Sequence, residues 1–252
     1  MKKLAIIQSN YIPWKGYFDI IHDVDVFVFL EDVQMTKRNW RSRNKIKTPK
    51  GTEWLTVPIK GGRDKLIAES EIAEGNWQKN HLKSLQFNYG RAPFLKKYKF
   101  LLDWLYREPH KNLSEFNMHT TNMICGILGI KTPSLNSIEL SVDGTKDDRI
   151  IHICQKLGAT VYLSGPAAKD YIVDEKFEKA GIELVYKDYS GYPEYPQLFP
   201  PFEHGVSILD LLFNCGPEAP YYIWGWHELI RVPPPNQLIE ISKTPAYEAG
   251  RP

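Results

Sequence analysis

The chain has 252 residues, 42% hydrophobic and 25% charged, with a formal net charge of +2. That is an ordinary composition for a globular protein able to bury a full core, and a charge so near balance gives no ground for a nucleic-acid or membrane-surface partner. No apolar stretch approaches the ~20 residues a membrane helix needs, MKK before LAIIQ is too brief for a signal-peptide core, and three cysteines, an odd number, argue against a disulfide framework; the expected location is the cytoplasm.

An apolar run, Leu4 to Ile7, ends in a polar and aromatic turn from Gln8 to Gly16. A helical-period segment follows, then a second apolar run, Val24 to Leu30, closing on Glu31, Asp32 and Gln34. Strand, loop, helix, strand predicts the first half of an open, mostly parallel α/β sheet, in which ligands sit outside the carboxyl ends of the strands. Residues 40 to 47 and 53 to 58 read as two strands joined through Pro49, Lys50 and Gly51, a β-hairpin. Ile67 to Ile72 reads as a short strand. From Trp77 to about Gly129, apolar residues recur at three- and four-residue spacing with breaks at Gly90, Pro93 and Pro109, which predicts a helical insertion over residues 77–129. The α/β rhythm then resumes. Strands are expected at Ser137 to Leu140, at Thr160 to Leu163 before Ser164 and Gly165, and at Glu183 to Tyr186. Helices are expected at Thr145 to Leu157, Asp174 to Ala180 and Ser207 to Phe213, the first with Thr145 as N-cap and Asp147 and Asp148 in its opening turn. Seven of the 18 prolines fall in the last 36 residues, with Pro233, Pro234 and Pro235 consecutive. The predicted organisation is an α/β domain over 1–216 and a Pro/aromatic-rich arm over 217–252, packed on the body or on a second copy of the chain as a route to a homo-oligomer.

Both early strand ends carry groups suited to a polar small molecule. Gln8, Asn10, Tyr11, Trp14, Lys15 and Tyr17 combine amides and phenols with ring faces, a set that binds sugars or nucleosides. Gln34 adds a further amide after the second strand. Asp32 there could accept a proton from an amine or hydroxyl nucleophile or hold a cation opposite substrate phosphates, and Tyr17 is the second candidate catalytic group. Lys37, Arg38, Arg41, Arg43, Lys45, Lys47 and Lys50 place seven basic residues within 14 positions. Arg41, Arg43, Lys45 and Lys47 alternate along a predicted strand and so share one face, a phosphate-binding surface punctuated by Trp40 and Asn44. Ser164 and Gly165 close a strand before a helix, where backbone N–H groups can meet an anion. His22 and His152 fall in apolar helical patterns and read as core histidines, and the other histidines show no metal-ligand spacing, so no metal site is expected. Neither a Gly-Lys-Ser/Thr phosphate loop nor a Gly-x-Gly-x-x-Gly fingerprint is present, and no cofactor is named by the residues.

Read in order, QSNYIPWKGYFDII, DVFVFLEDVQ, NWRSRNKI, EWLTVPI, LGATVYLSG and SILDLLFNCG resemble the WbqC-like protein family, bacterial proteins often encoded among surface-polysaccharide (O-antigen) biosynthesis genes. The resemblance runs from about Leu4 to Gly216. It departs at Ser9, where a Gln-Pro-x-Tyr pattern has proline. The order of the first strand, loop, helix and second strand is also similar to the nucleotidylyltransferase-like α/β fold, but Trp14-Lys15-Gly16-Tyr17 stands where that group carries a His-x-x-His pair. What the family setting implies, joined to the basic strand and the first loop, is a transferase attaching an acyl or aminoacyl group to a nucleotide-linked or lipid-linked amino sugar. Arg41, Arg43 and Lys47 would hold phosphates, and Gln8, Asn10 and Tyr11 the sugar. The alternatives are a glycosyltransferase, although Asp23-Val24-Asp25 precedes the second strand instead of ending it, and a non-catalytic assembly protein of a polysaccharide-synthesis complex. DNA is not an expected partner, because the cations of residues 77–129 form no continuous track.

Overall fold

A computed structural model describes residues 1–36, 39–61 and 65–228. Five short strands, β1 (Lys3–Ile7), β2 (Val26–Phe29), β5 (Ser134–Asn136), β6 (Val161–Ser164) and β7 (Glu183–Tyr186), form one parallel sheet in the order β5-β2-β1-β6-β7. Leu4 pairs with Val26 and Ile7 with Phe29 across β1 and β2, while Lys3 pairs with Val161 of β6. Such strands are apolar on both faces, and both are covered here. Leu4, Ile6, Val28 and Tyr162 pack with Ile151, Ile153 and Cys154 of α6 (Lys146–Lys156) and Phe177 of α7 (Asp174–Lys179). The alternate residues Ala5, Phe27, Phe29 and Leu163 face a second core with Phe18 and Ile21 of α1 (Lys15–His22) and Leu209 and Leu212 of α8 (Ile208–Cys215). Chain connections thus leave β1 toward β2 on one side and β6 toward β7 on the other, which creates a switch point between β1 and β6.

The hairpin stands apart from the sheet: β3 (Arg43–Thr48) and β4 (Gly51–Thr56) pair antiparallel around Pro49 and Lys50. The helical insertion follows as α2 (Trp77–Tyr89), α3 (Lys99–Arg107) and α4 (Leu113–Leu128). Asn112 caps α4 by accepting the Glu115 N–H, and Gly129 ends it at φ 77, a conformation that favours glycine.

Two expected strands are corrected. Residues Ile67–Glu69 form a single 3₁₀ turn, because the Glu69 carboxylate accepts the Leu66 N–H and the Ser70 hydroxyl donates to the Leu66 carbonyl. Ser137–Leu140 is a short helix, α5, and the strand lies just before it. The Asn136 side chain accepts the Ile138 N–H, and such local side-chain capping ends a strand and starts a helix. His22 and His152 stand on exposed positions, the first stacked on Trp224 at 4.0 Å and the second against the Asp143 carbonyl. The expected arm begins inside the body. Gly216–Tyr222 is a 3₁₀ segment, Gly225–Glu228 is α9, and Ala219 and Ile223 are fully buried in the core. Residues 229–252, with the triple proline, lie outside the described residues. Among the described residues no helix is long and apolar enough to cross a membrane.

Candidate functional site

At the switch point lies a cleft of about 740 Å³, within the size range of small-molecule sites. Its floor is the carboxyl ends of β1 and β6, with Gln8 and Asn10 on one side and Ser164 and Gly165 on the other. Trp14, the N-cap of α1, and Tyr17 within it form one wall with Tyr189, the first turn of α6 (Lys146, Asp147, Arg149) another, and Arg41 enters from the turn before the hairpin.

The loop after β1 is held by three clamps. The Ser9 N–H and hydroxyl donate to the Glu31 carboxylate at 2.7 and 2.9 Å, which turns Ser9 inward and leaves Gln8 and Asn10 in the cleft lining. The Asn44 amide donates to the carbonyls of Tyr11 (3.2 Å) and Ile12 (2.8 Å), holding Ile12 at φ 36, a conformation that is strained for a β-branched residue. The Tyr17 hydroxyl donates to the Gln8 carbonyl at 3.0 Å. Gly16 is required by a close approach, since a Cβ there would meet the Trp14 ring at 2.3 Å.

The electrostatics are set by burial. Glu31 is wholly buried, and that burial raises its pKa against the opposing hydrogen bonds of Ser114 and Ser9 and the Arg41 charge. Burial also lowers the pKa of Arg41, opposed by Glu31, but a guanidinium keeps its proton in any case. The only hydrogen bond of its side chain among the described residues is to Thr36 Oγ1 at 3.2 Å, and its buried Nε has none. Arg149 forms an ion pair with Asp32, whose other oxygen accepts from Ser137 at 2.7 Å. Asp147 Oδ2 accepts the Val173 N–H at 3.2 Å. Burial, then Glu31, pushes the Tyr17 phenol well above its ordinary pKa, so it is a proton-holding donor and no base at neutral pH. Lys146 opens α6 at φ 51, a second strained backbone on the cleft edge. Among the described residues no three His, Cys, Asp or Glu side chains gather as a metal site.

Of the residues singled out from the sequence, Gln8, Asn10, Trp14, Tyr17, Arg41, Ser164 and Gly165 line this cleft. Asp32 is tied to it through Arg149, with both carboxylate oxygens engaged. The others lie elsewhere. Tyr11 is fully buried, its hydroxyl bonded to His81 (2.9 Å) and Tyr106 (2.7 Å), and burial holds His81 down to about 4. Lys15 lies under the rings of Tyr192 and Tyr195, with its ammonium 4.6 and 5.5 Å from their centroids. Asn44 is a loop clamp, and Gln34 bridges to Leu66. Arg43, Lys45 and Lys47 share one face of β3, but Arg41 precedes the strand, Arg43 and Lys45 lie on Trp54, and Lys47 is buried with its ammonium on the Pro201 carbonyl. Trp40, half exposed, packs on Trp54. Asp23 and Asp25 bond to Lys3 at the start of β1, the edge opposite the cleft. Lys146, Arg149 and Tyr189 also line the cleft with no motif in the sequence to mark them, and Asp147 joins them from a helix start whose sequence signal is only that of the helix dipole.

Residues 8–222 match the WbqC-like protein family. The chain belongs to that family. The match opens at Gln8 and takes in every cleft residue except Ile6 and Ile7. The chain is also 46% identical over 229 residues to the uncharacterized protein Rv1507c of Mycobacterium tuberculosis (strain ATCC 25618 / H37Rv), covering 88% of this chain and 98% of that one. No solved structure matches the chain.

Proposed function

We propose that the switch-point cleft binds a nucleotide-linked or lipid-linked amino sugar and that the protein transfers an acyl or aminoacyl group to it in surface-polysaccharide (O-antigen) biosynthesis. The observation that carries the reading is Arg41: a half-buried guanidinium on the wall of a cleft of nucleotide-sugar size, whose side chain makes a single hydrogen bond among the described residues, to Thr36. The terminal nitrogens of such a guanidinium would take phosphate oxygens in charge-assisted bonds. Arg149 and Ser164 would share the phosphates, Gln8 and Asn10 would take sugar hydroxyls, and Trp14 and Tyr189 would cover apolar ring faces. Asp32, with both oxygens occupied, serves as the residue that orients Arg149. The proton of an attacking amine goes instead to Asp147, whose second oxygen accepts nothing among the described residues. The setting in polysaccharide synthesis follows from the family resemblance.

Two measurements test this. UDP or dTDP at a hundredfold excess over Kd should stabilise the fold by about 2.7 kcal/mol, and Arg41→Gln should abolish the shift. Incubation with UDP- and dTDP-amino sugars plus acyl donors should then give an acylated product by mass spectrometry. A full thermal shift in Arg41→Gln would remove the anion site. Binding without any mass change would leave a sugar-nucleotide receptor in place of a transferase.

A further inference from the structure

The hairpin carries a second feature that the cleft does not use. On β3 and β4 the residues of one face are Arg43, Lys45 and Lys47 opposite Thr56, Trp54 and Thr52, a set without a carboxylate. Trp54 is 39% exposed and Trp40 48%, their ring centroids 5.2 Å apart and tilted by 41°. Arg43 lies 4.1 Å from the Trp54 centroid and Lys45 5.3 Å. Neither cation has an acidic partner among the described residues, and the buried Nε of Arg43 makes no hydrogen bond. Both indoles stay part-exposed while Arg43 and Lys45 lie over the Trp54 ring, an aromatic and cationic surface of the kind that marks a binding site.

We propose that this face, Trp54 and Trp40 with Arg43 and Lys45, binds an acidic saccharide, with a pyranose ring against the indole pair and its anionic substituent on Arg43. The two indoles, in contact at 5.2 Å and tilted by 41°, share no common plane. A puckered pyranose can set its C–H groups against the exposed parts of two non-coplanar rings, whereas successive nucleobases stack on parallel planes. Two cations match a singly charged sugar unit and are too few for a phosphate track. The platform starts one residue from Arg41, yet its ligand and that of the cleft are separate, and the two readings fail independently.

The test titrates the full chain with tetragalacturonate, neutral maltotetraose and a short oligothymidylate, by calorimetry and tryptophan fluorescence. Tetragalacturonate should bind saturably, maltotetraose about tenfold more weakly, and Trp54→Ala and Arg43→Gln should each weaken the acidic sugar about tenfold. Melting temperature and far-UV circular dichroism verify that each variant is folded, and either variant suffices alone. No saturable binding at millimolar tetragalacturonate, or unchanged binding in a folded variant, overturns the proposal. Tighter binding of oligothymidylate overturns it in favour of a single-stranded nucleic-acid surface.

Discussion

Glu31 stands beside Asp32 at the end of β2, yet the two carboxylates do unlike work. Asp32 is joined to Arg149 at the cleft, whereas Glu31 is sealed beneath the loop after β1 and takes both Ser9 donors together with the Ser114 hydroxyl. A buried charge is tolerated only when its lone pairs are filled, so Ser9 and Glu31 stand or fall together. The Gln-Pro-x-Tyr pattern of the resembling family has proline at position 9, which offers neither an N–H nor a hydroxyl. Ser9→Pro in this chain should therefore cost about 3 kcal/mol in urea unfolding, and Ser9→Ala, which keeps the N–H bond, about 1 kcal/mol. Equal stability of the two variants would show that Glu31 does not anchor the loop.

Helix α1 has two faces, and Lys15 lies on the one away from the cleft. Trp14 and Tyr17 line the cleft, while Lys15, 2% exposed, sends its ammonium toward Tyr192 and Tyr195 without a hydrogen bond. Trp14 packs edge-on against both Tyr189 and Tyr192, so one aromatic layer divides the buried amine from the cleft. Burial lowers the pKa of Lys15 from 10.5 to about 8, with Cys215 and Asp19 opposing. The unfolded chain thus keeps this proton to higher pH than the folded one. Folding releases it between those two values, and stability rises with pH across that window. Below it, the buried ammonium costs about 3 kcal/mol. Lys15→Met, which keeps the apolar stem, should be more stable than the wild type at pH 7 by about 1–3 kcal/mol. That advantage should shrink as the pH approaches 10. A stability difference that stays flat from pH 7 to 10 would mean the lysine is not desolvated in the folded protein.

The layered sheet was legible because apolar runs and helical spacing are local signals, and β1, β2, β6 and β7 fall within or against the runs that announced them. What decided the site was not local. Lys47 alternates with Arg43 and Lys45, but a carbonyl from Pro201, far along the chain, captures it. Arg41 left the row because the chain still turns before β3 begins. Lys146 and Arg149 carried no signal beyond helix initiation, and only the strand order brings that helix start to the end of β1. The same long-range logic governs Lys187, just after β7, which spans the sheet to helix α1 with its ammonium 2.9 Å from Asp19 and 3.1 Å from Asp23. The side chain of Asp19 is 5% exposed and also accepts the Tyr192 hydroxyl at 2.5 Å, whereas Asp23 is 39% exposed and shares Lys3. Equal Coulomb distances therefore carry unequal weight, because solvent screens the outer pair while the inner one is buried with its partner. Asp19→Asn should cost about 3 kcal/mol, and it should also weaken nucleotide binding by loosening the segment that carries Tyr189 into the cleft wall. Asp23→Asn should cost under about 1 kcal/mol and leave binding intact. Urea unfolding and the UDP thermal shift of both variants would measure this, and matching losses at the two aspartates would show that Lys187 is not anchored through the buried Asp19.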